Sequence, residues 1–193
     1  LRRESQGEHL VASAARTESA VLALRSRLTP PDTILIGPRQ LRAASEDFAR
    51  RARGEMTWFN VCLLMFRPQS LFDSLLRPAI ENPRVGRIQF VLDESERERW
   101  ENDVLPKVRA CSGAGKVAEP VWSRLEETVS FILAETEPHG ATEAHLSFWG
   151  EPFMARTVGG NVPRYVFHVQ SNSELLAQLT QLQANRDQYG QSA

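Results

Sequence analysis

The stretch from Thr57 to Asp93 shows the most regular succession of apolar and helix-periodic segments in the chain. Trp58–Phe66 is apolar at nearly every position, which predicts a strand buried on both faces. A second apolar strand, Ile88–Leu92, follows a turn at Asn82–Pro83. Between the two strands, apolar residues recur at helical spacing: Leu71, Phe72, Leu75, Leu76 and Ile80. A strand, a crossover helix and another strand predict a right-handed βαβ unit in a parallel sheet.

The segments on either side of this unit predict further elements of the same sheet. Before it, Thr33–Gly37 is a short strand and Leu41–Arg53 is an amphipathic helix, which Gly54 closes as a C-terminal cap. After it, Glu94–Ala110 is a helix in which Pro106 kinks or ends the regular part. The sequence therefore predicts an α/β fold with a mixed, largely parallel sheet flanked by helices.

The C-terminal part of the chain predicts an antiparallel hairpin and a closing helix. Val129–Glu135 and Thr142–Trp149 are strands joined by a Pro-His-Gly turn. In the second strand, polar or aromatic residues alternate with an apolar face: Glu143, His145, Ser147 and Trp149. A last strand, Arg164–Gln170, leads into Ser171–Glu174, which is a capping box that opens the final helix.

The N-terminal segment His9–Leu28 contains neither proline nor glycine and predicts a helix. Its apolar stripe is thin and rich in alanine, which is typical of a linker or of one half of a two-helix dimer contact. A helix that lies on its own domain is the alternative, and the sequence leaves both open. We expect two parts: a linker or dimerisation helix over residues 1–29 and an α/β domain over residues 30–193.

Composition narrows the class of protein. With 193 residues, 41% of them hydrophobic, the chain suffices for one globular domain and an appended helix. A formal charge of -1 gives no global attraction to nucleic acid or anionic lipid. No apolar run approaches the roughly 20 residues of a membrane span, and two cysteines, Cys62 and Cys111, favour a reducing cytoplasm. Because the chain begins with Leu1, we expect a trimmed start or a further domain upstream.

Motifs for metal or cofactor chemistry are missing from the sequence. There is no glycine-rich phosphate loop, no Cys-x-x-Cys and no pair of histidines at helical spacing. A Gly-x-Ser-x-Gly nucleophile elbow is also absent. We therefore predict neither a cofactor nor a metal site.

Six residues remain as candidates for a ligand site or an interface: Asn60, Asp93, His145, Trp149, Glu151 and Phe153. Asn60 is the polar residue of the central strand. Its amide needs hydrogen-bond partners, which lie either within the fold or in a cleft at the end of the sheet. His145 shares a strand face with Glu143 and Ser147, which is either a catalytic relay or a hydrogen-bonded strand face. The segment that contains Trp149, Glu151 and Phe153 forms a pocket wall, an interface or a satellite core.

The order of these elements resembles one repeat of the phospholipase D superfamily, from about residue 30 to residue 190. That α-β-α sandwich also occurs as the ligand-binding domain of TrmB-type transcription regulators. In active members, catalysis needs His-x-Lys, whereas the corresponding segment here, Val129–Glu135, has Ser130 and Ile132 at those two positions. The only lysines, Lys107 and Lys116, are not near a histidine in the sequence. The resemblance thus implies a degenerate pseudoenzyme, to which no family active-site residue can be transferred.

This resemblance implies a non-catalytic ligand-binding or dimerisation domain, which binds a partner or a small molecule and forms a homodimer, and we expect it in the cytoplasm. We expect it to be the regulatory C-terminal module of a larger bacterial-type regulator, with DNA contact through an upstream domain and no membrane partner. The alternative is a hydrolase or transferase with its site at the carboxyl ends of the parallel strands, where Asn60, Asp93 and His145 would converge. A third class is direct nucleic-acid binding through arginines near one helix: Arg39, Arg42, Arg50, Arg51 and Arg53.

Overall fold

The computed structural model of the protein describes residues 13–25, 30–154 and 165–190. The chain divides into two compact units, Leu1–Pro31 and Asp32–Ala193. In the first unit, residues 13–25 form helix α1, on which Val21, Leu22 and Leu24 are exposed. The predicted N-terminal helix is therefore present, while its predicted ends at His9 and Leu28 lie outside the described residues.

The described part of the second unit contains one seven-stranded sheet. Its strands are β1 (Thr33–Ile36), β2 (Ala52–Phe59), β3 (Val85–Asp93), β4 (Val121–Ser123), β5 (Val129–Thr136), β6 (Ala141–Phe148) and β7 (Val166–Val169). They lie in the order β1-β7-β6-β5-β2-β3-β4. β2, β3 and β4 pair in parallel, and the other neighbouring pairs are antiparallel. β1 and β6 run in the same direction as β2, β3 and β4, whereas β5 and β7 run in the opposite direction. The predicted mixed sheet is confirmed.

Helices cover both faces of this sheet, and each face has its own apolar core. The helices are α2 (Leu41–Arg51), α3 (Gln69–Leu75), α4 (Arg77–Glu81), α5 (Arg97–Arg99), α6 (Leu105–Arg109) and α7 (Leu175–Gly190). Buried side chains of α2, α3, α4 and α6 pack with Trp58 and Phe90 in the larger core. On the other face, α7 packs with Phe59 and Phe131. This arrangement confirms the predicted α/β fold.

The central strand begins and ends earlier than the apolar pattern predicts. β2 begins at Ala52 and ends at Phe59, and Leu63–Phe66 forms a 3-10 helix instead of continuing the strand. Asn60 causes the break, since its φ is +50° and asparagine tolerates this left-handed region better than most residues. Gly54 was predicted to cap α2, but it lies inside β2, where its φ of +66° accompanies a shift in the pairing with β3. The predicted βαβ unit itself is present, because α3 and α4 connect β2 to the parallel strand β3.

Pro106 perturbs its helix as predicted, and the structure shows how. Trp100–Val104 is a π-helical turn between α5 and α6, in which the Leu105 N–H donates to the carbonyl of Trp100. Pro106 lies in the first turn of α6 and has no N–H to give to an α-helical bond. The widened turn is the usual response to such an interruption and places Trp100 against Phe90 in the core.

Candidate functional site

An apolar pocket lies between α2 and the sheet, on the face of the larger core. Its volume is about 70 Å³. α2 contributes Leu41 and Phe48, β2 contributes Met56 and Trp58, and the segment after β2 contributes Val61 and Met65, among other apolar side chains. A pocket of this volume is an unusual feature of a close-packed core, since few native voids exceed one water molecule. The pocket, defined by these residues and by the polar groups described next, is therefore a candidate binding site.

Three polar residues of β5 and β6 interrupt this apolar wall: Ser130, His145 and Ser147. Ser130 pairs directly with Ser147 across the two strands, and His145 precedes Ser147 by two residues. Side chains two residues apart point to the same face of a strand, so all three belong to one short row. Each is at least nine-tenths buried. The Ser147 hydroxyl donates to the carbonyl of Tyr165 at 2.9 Å.

His145 is the central polar group of the pocket. Its ring stacks on Phe48 of α2, with 4.3 Å between the ring centroids, and it meets His168 edge-on at 5.2 Å. Burial lowers the pKa of His145 to about 3, with a smaller contribution from the charges of His168 and Arg51. The ring is therefore neutral at pH 7 and offers one donor and one acceptor. Neither ring nitrogen has a hydrogen-bond partner among the described residues.

Two other polar groups that line the pocket are also unpaired. The hydroxyl of Ser130 has no hydrogen bond to another described residue, although Ser130 is 4% exposed. The indole N–H of Trp58 is buried and likewise has no partner within the described residues. A buried polar group without a partner costs about 1–3 kcal/mol. Among the described residues that line the pocket, the indole N–H of Trp58 is the group that carries this cost.

An ionic network adjoins the pocket on the same face of the sheet. Glu143 of β6 lies 2.8 Å from the Nε2 of His168 and accepts hydrogen bonds from Arg51 of α2 at 3.3 Å. Burial alone would raise the pKa of Glu143, but the hydrogen bonds from His168 and Arg51 outweigh it and lower that pKa. The carboxylate is thus held ionised between α2 and β7. Glu143 lies next to His145 on the same face of β6, at one end of the row of polar residues.

Among the six predicted site residues, the structure joins Asn60 to Trp149. The side-chain amide of Asn60 donates to the carbonyls of Glu127 and Val129 at 2.9 and 3.0 Å, and the backbone carbonyl of Asn60 accepts from the Trp149 indole at 3.1 Å. Its backbone N–H donates to Val91. Asn60 therefore fixes the end of β2 to β3 and to the segment before β5, so its polar atoms serve the fold.

The other predicted residues lie apart from the pocket row. Asp93 accepts from the backbone N–H groups of Ser95 and Leu125, at 3.0 and 2.8 Å. Glu151 is exposed, and Phe153 packs on Phe148 with 5.4 Å between ring centroids. No hydrogen bond between Asn60, Asp93 and His145 occurs in the structure. Of the six candidates, only His145 lines the pocket.

Sequence reasoning missed most of the pocket, because α2 and the segment after β2 supply it from distant parts of the chain. Ser130 had a recognisable signal, since it is the one hydroxyl in an otherwise apolar stretch from Val129 to Ala134. The methionines had no such signal. Met56, Met65 and Met154 line the pocket, and they are all the methionines that the sequence contains.

Three of the five arginines near α2 form ion pairs within the protein. Arg50 pairs with Glu46 and Arg51 with Asp47, one helical turn away, and Arg53 pairs with Glu135. Such pairs reduce the positive charge that these side chains offer to a nucleic acid. In residues 13–25, 30–154 and 165–190, no group of three His, Cys, Asp or Glu side chains is arranged to hold a metal ion. None of the helices in these ranges has the length and apolar character that a membrane span requires.

Comparison with known proteins gives little beyond this geometry. No family model matches the chain, and a search of curated proteins finds no match. Among solved structures, the chain is similar to TrmBL2, an archaeal chromatin protein whose structure shows a novel mode of DNA binding. The sequence identity is 12% and the TM-score is 0.49, and the match covers 99% of this chain and 65% of TrmBL2.

Proposed function

We propose that this chain is a non-catalytic, small-molecule-binding domain of a regulatory protein, with phospholipase D-like architecture. The observation that carries the proposal is the apolar pocket with its unpaired polar groups, His145 and Ser130. A ligand in this pocket can make hydrogen bonds to both groups, since a neutral imidazole and a hydroxyl each offer a donor and an acceptor. Predominantly apolar walls with a few convergent polar groups are the usual composition of small-molecule sites.

The chemistry of His145 favours binding over catalysis. A general base works best with a pKa near the operating pH, and the pKa of His145 is about 3. Its ring also has no carboxylate partner that would orient it, because Glu143 contacts His168 instead. The other two groups of the enzyme hypothesis, Asn60 and Asp93, use their polar atoms to hold backbone segments together.

The resemblance to the phospholipase D superfamily is consistent with this proposal. Ser130 and Ile132, which occupy the positions of the missing His and Lys, both line the pocket. A degenerate member of that superfamily would therefore use its former reaction site to bind a molecule without transforming it. In this proposal, DNA contact belongs to a separate domain, since Arg50 and Arg51 of α2 are paired within the protein.

Self-association is the second part of the proposed function. Helix α1 exposes Val21, Leu22 and Leu24, each by more than half of its surface. A second copy of the same helix is the partner that we propose for this apolar surface, because it presents the same side chains in return. Native mass spectrometry of the purified protein tests this part, since it reports the number of subunits and any retained small molecule together.

Methionine-methyl NMR under xenon pressure tests the ligand pocket directly. Xenon enters apolar cavities and needs no specific hydrogen bond. Met56, Met65 and Met154 all line the pocket, so we expect their methyl signals to shift with xenon pressure and to saturate. Ser130→Leu fills the pocket from β5 and should abolish these shifts while the fold is retained. Methyl signals that do not respond to xenon in the wild-type protein would contradict the proposal.

A further inference from the structure

Among the described residues, β1 and β4 are the two edge strands of the sheet, and they differ in how they are protected against pairing with another chain. β4 has three residues, begins directly after Pro120, and carries Trp122, whose ring lies 4.4 Å from the guanidinium carbon of Arg97. Short length, proline and charged side chains are the usual means of protecting an edge. β1, Thr33–Ile36, contains neither a proline nor a charged residue. It is therefore the edge to which another strand can add.

The hydrogen bonds between β1 and β7 leave backbone groups of β1 at the outer edge. The Gln170 N–H donates to the Asp32 carbonyl at 2.8 Å, and β1 pairs with β7 in the same register. Hydrogen-bonded and non-hydrogen-bonded pairs alternate along antiparallel strands. Ile34 therefore bonds to β7, whereas the N–H and C=O groups of Thr33 and Leu35 point away from it. These outward groups are spaced for an extended strand, not for a helix or a small molecule.

The exposed side chains of β1 are apolar on both faces of the sheet. Ile34 lies opposite His168 on the α2 face, and Leu35 lies opposite Phe167 on the α7 face. Their exposed fractions are 43% and 52%. A strand that adds to β1 covers part of both side chains, provided that its own side chains at these positions are apolar.

A second copy of β1 meets both requirements. When two such strands run antiparallel with Ile34 opposite the partner's Ile34, Thr33 of each copy lies opposite Leu35 of the other. Each of these two pairs exchanges both of its backbone hydrogen bonds, so every outward group of Thr33 and Leu35 has a partner. The two Ile34 residues then form a non-hydrogen-bonded pair, in which side chains approach most closely and β-branched residues pack well.

We propose that two copies of this chain pair through β1, with Ile34 on the two-fold axis, so that their sheets become continuous. The inference rests on the self-association part of the proposed function. An edge of four residues buries less surface than the roughly 1,200 Å² of a typical stable interface, so this pairing adds to the contact through α1 and does not replace it.

Site-directed disulfide formation in the full chain tests the register. Ile34→Cys places two thiols in a non-hydrogen-bonded pair, whose Cα separation of about 4.5 Å allows a disulfide. Leu35→Cys is the matched control, because its two copies would be diagonal neighbours about 7–8 Å apart, which is too far. Cys62 and Cys111 are buried, so the wild-type chain reports their background. With oxidised glutathione, we expect Ile34→Cys to form a covalent dimer about tenfold faster than Leu35→Cys, at a rate that does not change on dilution.

The outcomes separate this inference from the proposed function. Equal rates for the two variants, rates that fall in proportion to concentration, or faster linking of Leu35→Cys would each overturn the pairing through Ile34. If native mass spectrometry shows a wild-type dimer in that case, self-association stands and only the inference fails. If the wild-type protein is a monomer and neither variant forms a covalent dimer, both fail. The proposed ligand pocket is tested separately by xenon and is unaffected by either result.

Discussion

Replacing His145 with phenylalanine tests the conclusion that this histidine is buried and neutral. In the folded protein its pKa is about 3, whereas an unperturbed histidine has a pKa of 6.5. Between these two values the unfolded chain binds a proton that the folded protein does not. Stability is therefore fully present above pH 6.5 and decreases as the pH falls toward 3.

The size of the effect follows from the two pKa values. At pH 5 the unfolded histidine is almost fully protonated and the folded one is neutral, so His145 lowers the free energy of unfolding by about 2 kcal/mol relative to pH 7. His145→Phe keeps a ring to stack on Phe48 but cannot titrate. We expect the variant to lose about 2 kcal/mol less stability than the wild type between pH 7 and pH 5.

Urea denaturation at pH 7 and pH 5, followed by tryptophan fluorescence, measures this difference. The pH 5 limit is useful because Glu143, whose pKa is lowered from 4.5, stays ionised there in both proteins. His139→Phe is the matched control for the substitution itself, since His139 is exposed in the β5–β6 turn. An equal loss of stability in the wild type and in His145→Phe would refute the reasoning.

Three further predictions follow from the fold and from the proposed dimer. Asn60→Ala should lower the free energy of unfolding by about 2–3 kcal/mol in urea denaturation, and Asn60→Gly by about 1 kcal/mol less, because glycine accepts the φ of +50°; equal losses would contradict a role for backbone strain. Gly113→Ala should cost about 1–3 kcal/mol, because its φ is +104° and an added Cβ would lie 2.6 Å from the carbonyl oxygen of Ile80. Gly115→Ala, which meets nothing within 4 Å, is its control. Leu24→Glu should shift the molar mass measured by light scattering toward the monomer, and an unchanged mass would contradict a dimer through α1.

The sequence predicted the elements of the fold well because their apolar patterns are local. β5 and β6 alternate along the chain, and the turn between them carries its own Pro-Gly signal, so both strands and their pairing could be predicted. The end of β2 could not, since Trp58–Phe66 is apolar at every position except Asn60, and the apolar residues continue beyond the point where the strand stops. Only the hydrogen bonds of Asn60 to Glu127 and Val129, from a distant segment, explain the break there.

The candidate site was predictable only in part, because segments that are far apart in the sequence come together to form it. The alternation in β6 placed His145 and Ser147 on one face, and the structure confirms that they share it. The sequence did not indicate that α2 would cover this face and stack Phe48 on the imidazole. Burial of a strand face depends on which helix packs against it, and no local pattern contains that information.

The unpaired polar groups distinguish the pocket from a packing defect. If stability alone determined this region, a valine or leucine at position 130 would fill the space and bury more apolar surface. The opposite face of the sheet is packed in that way, with Phe59 stacked on Phe131 at 4.7 Å. Around the pocket, the indole N–H of Trp58 is instead buried without a partner, and Ser130 and His145 line the same space without a hydrogen bond to another described residue. Polar groups with unused hydrogen-bonding capacity are expected where a protein binds a ligand, and here three of them line one pocket.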